Sequence, residues 1–246
     1  EHELRWDEAA DFWVHLCEIT KPNANIHLRI GLCRLRHNDD GRAARAEFEK
    51  ALEIEPDHEA ATFALAERLD YEGEFDEVIS RLERLAKARP DSARVPLTLA
   101  NFLGKYDRID EAILQWRNGL AKEPKWDDSW RNLGFGLEHR DRIDEAVDAY
   151  RQAAQAAPAN SENHRYLGSA LQDAGQLDKA LDAFGQAIKA DPENAEAHWG
   201  RFWVSALRGD FPKAWEDYEW RWKLRERTTP ELDDSAPLWE GGDLSG

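Results

Sequence analysis

Apolar positions along this chain recur at three- and four-residue spacing, and the whole pattern repeats every 34 residues. In the clearest copy, Leu167, Ala170, Leu171 and Ala174 mark one stripe, and Leu177, Ala180, Leu181, Phe184 and Ile188 mark the next. Spacing of this kind puts the marked residues on one face of a helix, so each unit is predicted to hold two amphipathic helices. Gly175 separates the stripes, where glycine accepts the left-handed conformation that closes a helix, and Pro192 falls where the second helix has ended. Each unit is thus predicted to be a helix hairpin. No alternating period-two run predicts a strand.

Punctuation and side-chain size keep the same period. Prolines stand at Pro22, Pro56, Pro90, Pro124, Pro158 and Pro192, and bulky residues at Phe48, Leu82, Trp116, Tyr150, Phe184 and Tyr218. Small residues such as Gly168, Ala180 and Ala187 let helix backbones approach while Phe184 fills the space beside them. Asp–Glu steps at 76–77, 110–111 and 144–145 open the second helices, where negative charge favours the helix dipole. The predicted units span 25–58, 59–92, 93–126, 127–160, 161–194 and 195–228. A partial repeat helix in 1–24 precedes them, marked by Asp7-Glu8-Ala9 and Trp13, and 229–246 form a tail or a linker to a further domain. The expected fold class is an all-α, right-handed superhelical solenoid of helix hairpins.

Composition narrows the function. The chain is 41% apolar and 34% charged, too apolar for disorder and too charged for a membrane protein. Its formal net charge of -17 opposes binding to nucleic acid or anionic lipid, since no basic face exists to release counterions. No run approaches the roughly 20 apolar residues of a membrane span, and the first residues carry acids where a signal peptide carries bases. Cys17 and Cys33 suit reduced thiols, so a cytoplasmic location is expected. The chain starts at Glu1 and contains no Met, which predicts a piece of a longer protein.

No catalytic or cofactor motif is present. Gly134-Phe135-Gly136 lacks the third glycine of a dinucleotide loop and falls inside a predicted helix. His164 and His198 occupy one slot in successive units, which points to packing, not metal or acid–base work. The 50 carboxylates read as a solvated face, because stacked hairpins build a groove and not a closed pocket that raises one pKa. The expectation is no enzyme activity, no cofactor and no metal.

Trp130, Leu133-Gly134, Leu137, Ala146, Tyr150, Ala153 and Pro158 follow the order of the tetratricopeptide repeat, a family this chain resembles over about nine tenths of its length. Gly31 and Leu32 reverse that family's large and small positions, Pro96 replaces the aromatic opening a first helix, and Arg201 and Phe202 replace Leu-Gly. The sixth unit is therefore expected to stack differently. The resemblance implies a protein or peptide ligand in a concave groove lined by the first helices. Carried over by position, the protein-binding residues are Phe63, Tyr71, Asn101, Arg131, Asn132, Phe135, Arg165, Tyr166, Trp199 and Trp203, with Cys33 and Leu97 beside them. Asn101 and Asn132 suit a peptide backbone, since an amide both donates and accepts. Leu97, Glu162 and Tyr166 stand where chaperone-tail binders of the family carry bases, which argues against that clamp.

Six of the eleven tryptophans fall after residue 198. Trp199, Phe202, Trp203, Ala206 and Leu207 form one stripe, and Phe211, Trp215, Tyr218 and Trp222 a second. Either the tail 229–246 caps these rings, or they dock another domain or chain, self-association included. The string Gly209-Asp210-Phe211, Trp215, Tyr218-Glu219-Trp220-Arg221-Trp222, Pro237-Leu238-Trp239-Glu240-Gly241 and Asp243-Leu244 is similar to the junction in bacterial proteins that join such repeats to a glycosyltransferase-like domain. That resemblance implies an acceptor-recruiting arm. A stand-alone adaptor and a self-assembling structural protein are the alternatives.

Overall fold

The computed structural model describes residues 6–21, 23–38 and 41–228. The described residues form fourteen helices and no strand, in two compact units, Glu1–Arg142 and Ile143–Gly246. In the first unit, α1 (Trp6–Ile19) precedes the hairpins α2/α3 (Ala24–Asn38, Gly41–Ile54), α4/α5 (Glu59–Glu72, Phe75–Ala88) and α6/α7 (Arg94–Lys105, Ile109–Lys122), followed by α8 (Asp127–Glu138). In the second, α9 (Ile143–Ala156) precedes α10/α11 (Ser161–Asp173, Leu177–Ala190), α12/α13 (Ala195–Leu207, Phe211–Tyr218) and the short α14 (Arg221–Thr228).

One turn ends the first helices α4, α6, α8, α10 and α12. Gly73, Asp107, Asp141, Gly175 and Gly209 all have positive φ, between 58° and 80°. The residue after each donates its N–H to a carbonyl five positions back, as in Arg108 to Leu103 and Gln176 to Leu171 at 2.9 and 2.8 Å. That bond satisfies a carbonyl the helix end leaves open. Aspartate serves at two of the five turns because its short polar side chain tolerates the left-handed region. The five positions share the 34-residue period, a signal present in the sequence that the glycine reading alone misses. A second device recurs at Trp130, His164 and His198, whose ring nitrogens reach the carbonyls of Pro124, Pro158 and Pro192 at 2.7, 3.0 and 3.1 Å. The histidine slot is a clasp on the preceding turn.

Bulky residues at the periodic position fill the spaces left by small ones. Phe48 is fully buried, and a Cβ built on Gly31 would lie 2.4 Å from its ring. The reversal of Gly31 and Leu32 thus still supplies a small residue for Phe48. Pro96 is buried in the first turn of α6, where a missing N–H breaks no helix bond.

Glu47, 4% exposed, is the most buried carboxylate of the first unit's core. His27 Nδ1 lies 2.7 Å and Lys50 Nζ 3.0 Å from its oxygens, with Arg34 at 3.4 Å. Burial alone would raise this carboxyl, but the hydrogen bonds from His27 and Lys50 and the charges of Lys50 and Arg34 leave it below the ordinary range. A depressed carboxylate stabilises the fold above its unfolded value of about 4.3 and loses that contribution as pH falls through the folded value. Glu47→Gln is expected to lower the melting temperature at pH 7, and the gap to the wild type is expected to close as pH falls from the unfolded value through the lower folded one. A gap between the two that stays constant with pH would show that Glu47 adds no charge-dependent stability.

The end of the second unit departs from the single stripe predicted over Phe211 to Trp222. Helix α13 stops at Tyr218, and the N–H groups of Trp220 and Trp222 bond to Asp217 and Glu219, both at 3.2 Å, in a tight turn. Trp220, not Trp222, then folds inward and stacks on His198 with 3.8 Å between ring centroids. The cause is Asp217, 2% exposed, which takes Nδ1 of His198 at 2.6 Å and both Nε and Nη2 of Arg201 at 2.6 and 2.7 Å. Arg201, which replaces a leucine of the repeat, is thus anchored by an acid one helix away.

Candidate functional site

The predicted binding residues lie on first helices, and the neighbouring first helices of a unit are tied side by side. In the first unit, Asp70 at the end of α4 accepts from Lys105 Nζ at 2.5 Å and Tyr106 Oη at 2.8 Å. Burial would raise Asp70, yet these two bonds hold it below the usual carboxylate range. Asn101 on α6 accepts from Trp116 Nε1 at 2.9 Å and from Asn132 Nδ2 of α8 at 3.1 Å. The Asn101 carbonyl is therefore occupied by the protein, and only its amide N–H groups remain to meet a peptide. Sequence reasoning missed this because Trp116 reaches Asn101 from the second helix.

Aromatic residues supply the rest of that face. Tyr71 is 75% exposed beneath the Arg68 guanidinium, and Phe135 is 58% exposed beside His139. Phe63 is half-buried with the Arg94 guanidinium 5.4 Å from its ring centre. Arg131 is ion-paired with Asp128. Cys33 and Leu97, expected beside them, are instead 5% and 3% exposed. Leu97 lies against Gly119 of α7, and an apolar residue of a first helix gains more by burial than by lining a wet face. Burial also raises the Cys33 thiol, against the charges of Arg36 and Arg29, which makes it an unreactive core residue.

In the second unit, Arg165 grips Glu162 with Nε and Nη2 at 3.0 and 2.7 Å and lies 3.9 Å from the centre of the Tyr166 ring. Tyr166 stacks on the buried Tyr150 with centroids 5.6 Å apart. These two residues are held as a rigid edge. The larger feature lies on α12 and α13. Trp199 stacks on Phe202 at 4.8 Å, Trp203 meets both edge-on at 5.5 and 5.2 Å, Phe202 reaches Tyr218 at 5.4 Å, and Tyr218 reaches Trp215 at 4.7 Å. Arg221 covers Tyr218 at 3.6 Å. The stripes predicted separately on the two helices are thus one set of rings. Trp203, Leu207, Phe211 and Trp215 are 47%, 63%, 58% and 59% exposed. The tail 229–246, expected to cap them or to lead into a further domain, lies outside the described residues.

Among the described residues no cluster of His, Cys, Asp and Glu is arranged to hold a metal, and no helix is long and apolar enough to cross a membrane. Repeated helix hairpins with one turn, one clasp and rings exposed on the first helices define a helical-repeat protein. The tetratricopeptide repeat family model matches residues 167–219, and the chain has that repeat's fold. MamA from Desulfovibrio magneticus aligns at 19% identity and TM-score 0.60, over 69% of this chain and 96% of its own. PilF of Pseudomonas aeruginosa aligns at 18% identity and TM-score 0.65, over 91% and 93%. YrrB, described as a tetratricopeptide-repeat protein with an unusual peptide-binding site, aligns at 18% identity and TM-score 0.60, over 77% and 97%. At these identities the likeness concerns the fold. No curated protein sequence matches the chain.

Proposed function

We propose that this chain is a protein-interaction scaffold that holds a partner protein or peptide against its first-helix faces. The reading is carried by the connected rings of α12 and α13, where Trp203 and Trp215 stand about half in water. Rings joined into one exposed apolar patch mark interaction surfaces, and tryptophan, tyrosine and arginine dominate the hot spots of interfaces. In the first unit, Phe135 and the free amide N–H groups beside the Asn101–Asn132 bond offer the same kinds of contact. YrrB, with its peptide-binding site, lends support by analogy of fold.

Partners captured from lysate and identified by mass spectrometry provide the test. Trp203→Ala and Phe135→Ala are each expected to weaken a captured partner by about 2 kcal/mol, roughly thirtyfold, with unchanged circular dichroism. Asn132→Ala is expected to cost less than either, because it also releases the Asn101 carbonyl. Asp148→Lys on second helix α9 is expected to change only the salt dependence. Loss of binding in Asp148→Lys alone would move the interface to the second helices.

The finer reading makes the array the acceptor-recruiting arm of a larger bacterial glycosyltransferase-like protein. Its support is the ordered string from Gly209 to Trp222, with the matching residues 237–244 outside the described part. The downstream gene sequence decides it: a glycosyltransferase-like domain after Gly246 is expected, and a stop codon there leaves a stand-alone adaptor.

A further inference from the structure

An open cavity of about 520 Å³ lies between the end of α1 and the start of α2. That volume is within the range of ligand sites. Trp13, Leu16 and Ile26 form its apolar wall, and Lys21 and Arg29 stand at it as cations. Both cations are exposed, and neither has a hydrogen-bond or ion-pair partner among the described residues. Other cations of this chain of net charge -17, such as Arg45, Arg108, Arg165 and Arg201, are taken up by carboxylates.

The side-chain oxygens of the other polar residues of the wall are already engaged. Thr20 Oγ1 donates to the Leu16 carbonyl at 2.6 Å, Asn23 Oδ1 accepts from the Ile26 N–H at 3.0 Å, and Asn25 Oδ1 meets His58 Nε2 at 3.2 Å. Among the described residues that line the cavity there is no carboxylate. The start of α2 adds the positive end of a helix dipole to the same place. Two cations above an apolar floor, with no carboxylate among the described residues that line it, complement a ligand that carries carboxylates on either side of an apolar group.

We propose that this cavity is a docking site for an acidic peptide segment in which aspartate or glutamate flanks one bulky aliphatic residue. The carboxylates pair with Lys21 and Arg29, and the aliphatic side chain lies against Trp13, Leu16 and Ile26. The choice of a peptide rests on the reading of the chain as a protein-interaction scaffold, whereas the charge and apolar requirements rest on the cavity alone.

Calorimetric titration of the full chain with the peptide acetyl-Ser-Asp-Glu-Leu-Asp-Ser-amide tests it. Saturable binding is expected at 50 mM salt, weakening several-fold at 300 mM as screening grows. Lys21→Glu and Arg29→Glu are each expected to weaken it tenfold or more. Lys21→Gln and Arg29→Gln, which keep the side-chain bulk, are expected to weaken it by a smaller factor. The peptide with Asn and Gln in place of its acids, and the peptide with Ser in place of Leu, are expected to bind at least tenfold more weakly. Phe135→Ala and Trp203→Ala are expected to leave this titration unchanged, so failure of the first-helix reading and failure of this site give different results. No saturable heat, equal binding of the neutral peptide, or wild-type affinity in both charge reversals would overturn the proposal.

Discussion

Phe184→Ala is expected to destabilise the second unit by about 3–5 kcal/mol in urea unfolding followed by circular dichroism. Phe184 is 1% exposed and lies between two glycines on different hairpins. A Cβ on Gly168 of α10 would sit 2.8 Å from the ring, and one on Gly200 of α12 would sit 2.4 Å from it. Both distances are far inside van der Waals contact, so the ring holds α10 and α12 at their spacing and loses contacts on both sides when removed. Filling the same space from the other side should also cost stability. Gly200→Ala is expected to lose about 1–3 kcal/mol by overpacking, despite the better helix propensity of alanine. Phe184→Leu combined with Gly200→Ala should lose less than the sum of the two changes, because the smaller side chain relieves the clash. Gly185→Ala is the internal control. Nothing lies within 4 Å of a Cβ there, so the helix gain of up to about 1 kcal/mol should appear. Equal stability of Gly200→Ala and Gly185→Ala would contradict the packing account.

Asp217→Ala is expected to cost about 2–4 kcal/mol and to change the near-ultraviolet signal of the tryptophans. The carboxylate is buried at the centre of three contacts, from His198 and from both donors of Arg201. Removing it strands three donors on two side chains, and desolvated donors without partners are the costly outcome of breaking a buried pair. The lower part of the range reflects Arg201, whose side chain is 31% exposed and regains some water. Asp217→Asn keeps the shape but has one acceptor oxygen for three donors, so it should fall between alanine and the wild type. The function is affected through Trp220, which stacks on His198, and through Tyr218, which joins the rings of α12 to Trp215. Partner binding at Trp203 should therefore weaken in Asp217→Ala even though Asp217 is too buried to touch a partner. Arg201→Met offers a distinction, since it removes both arginine donors and leaves His198 paired. A loss as large as that of Asp217→Ala would mean that the arginine pair alone holds the turn.

The 34-residue period of prolines, bulky residues and acidic steps was enough to determine an all-helical chain of hairpins. That follows because each hairpin is built from contacts close in sequence, and the same size pattern meets itself in the next copy. Pairings between side chains belonged to the tertiary structure. Asn101 and Asn132 were legible as surface amides, but their bond to each other and to Trp116 depends on which faces of three helices meet. Cys33 and Leu97 were placed at the surface by repeat position and are buried. The last turn was the least legible. Phe211, Trp215, Tyr218 and Trp222 keep helical spacing, and nothing local breaks the helix between Tyr218 and Arg221. The break follows from Asp217, which is drawn into the core by Arg201 and His198, residues 16 and 19 positions away. A helix-period pattern reports which side of a helix is apolar, whereas a buried ion pair draws its energy from partners that only folding brings together.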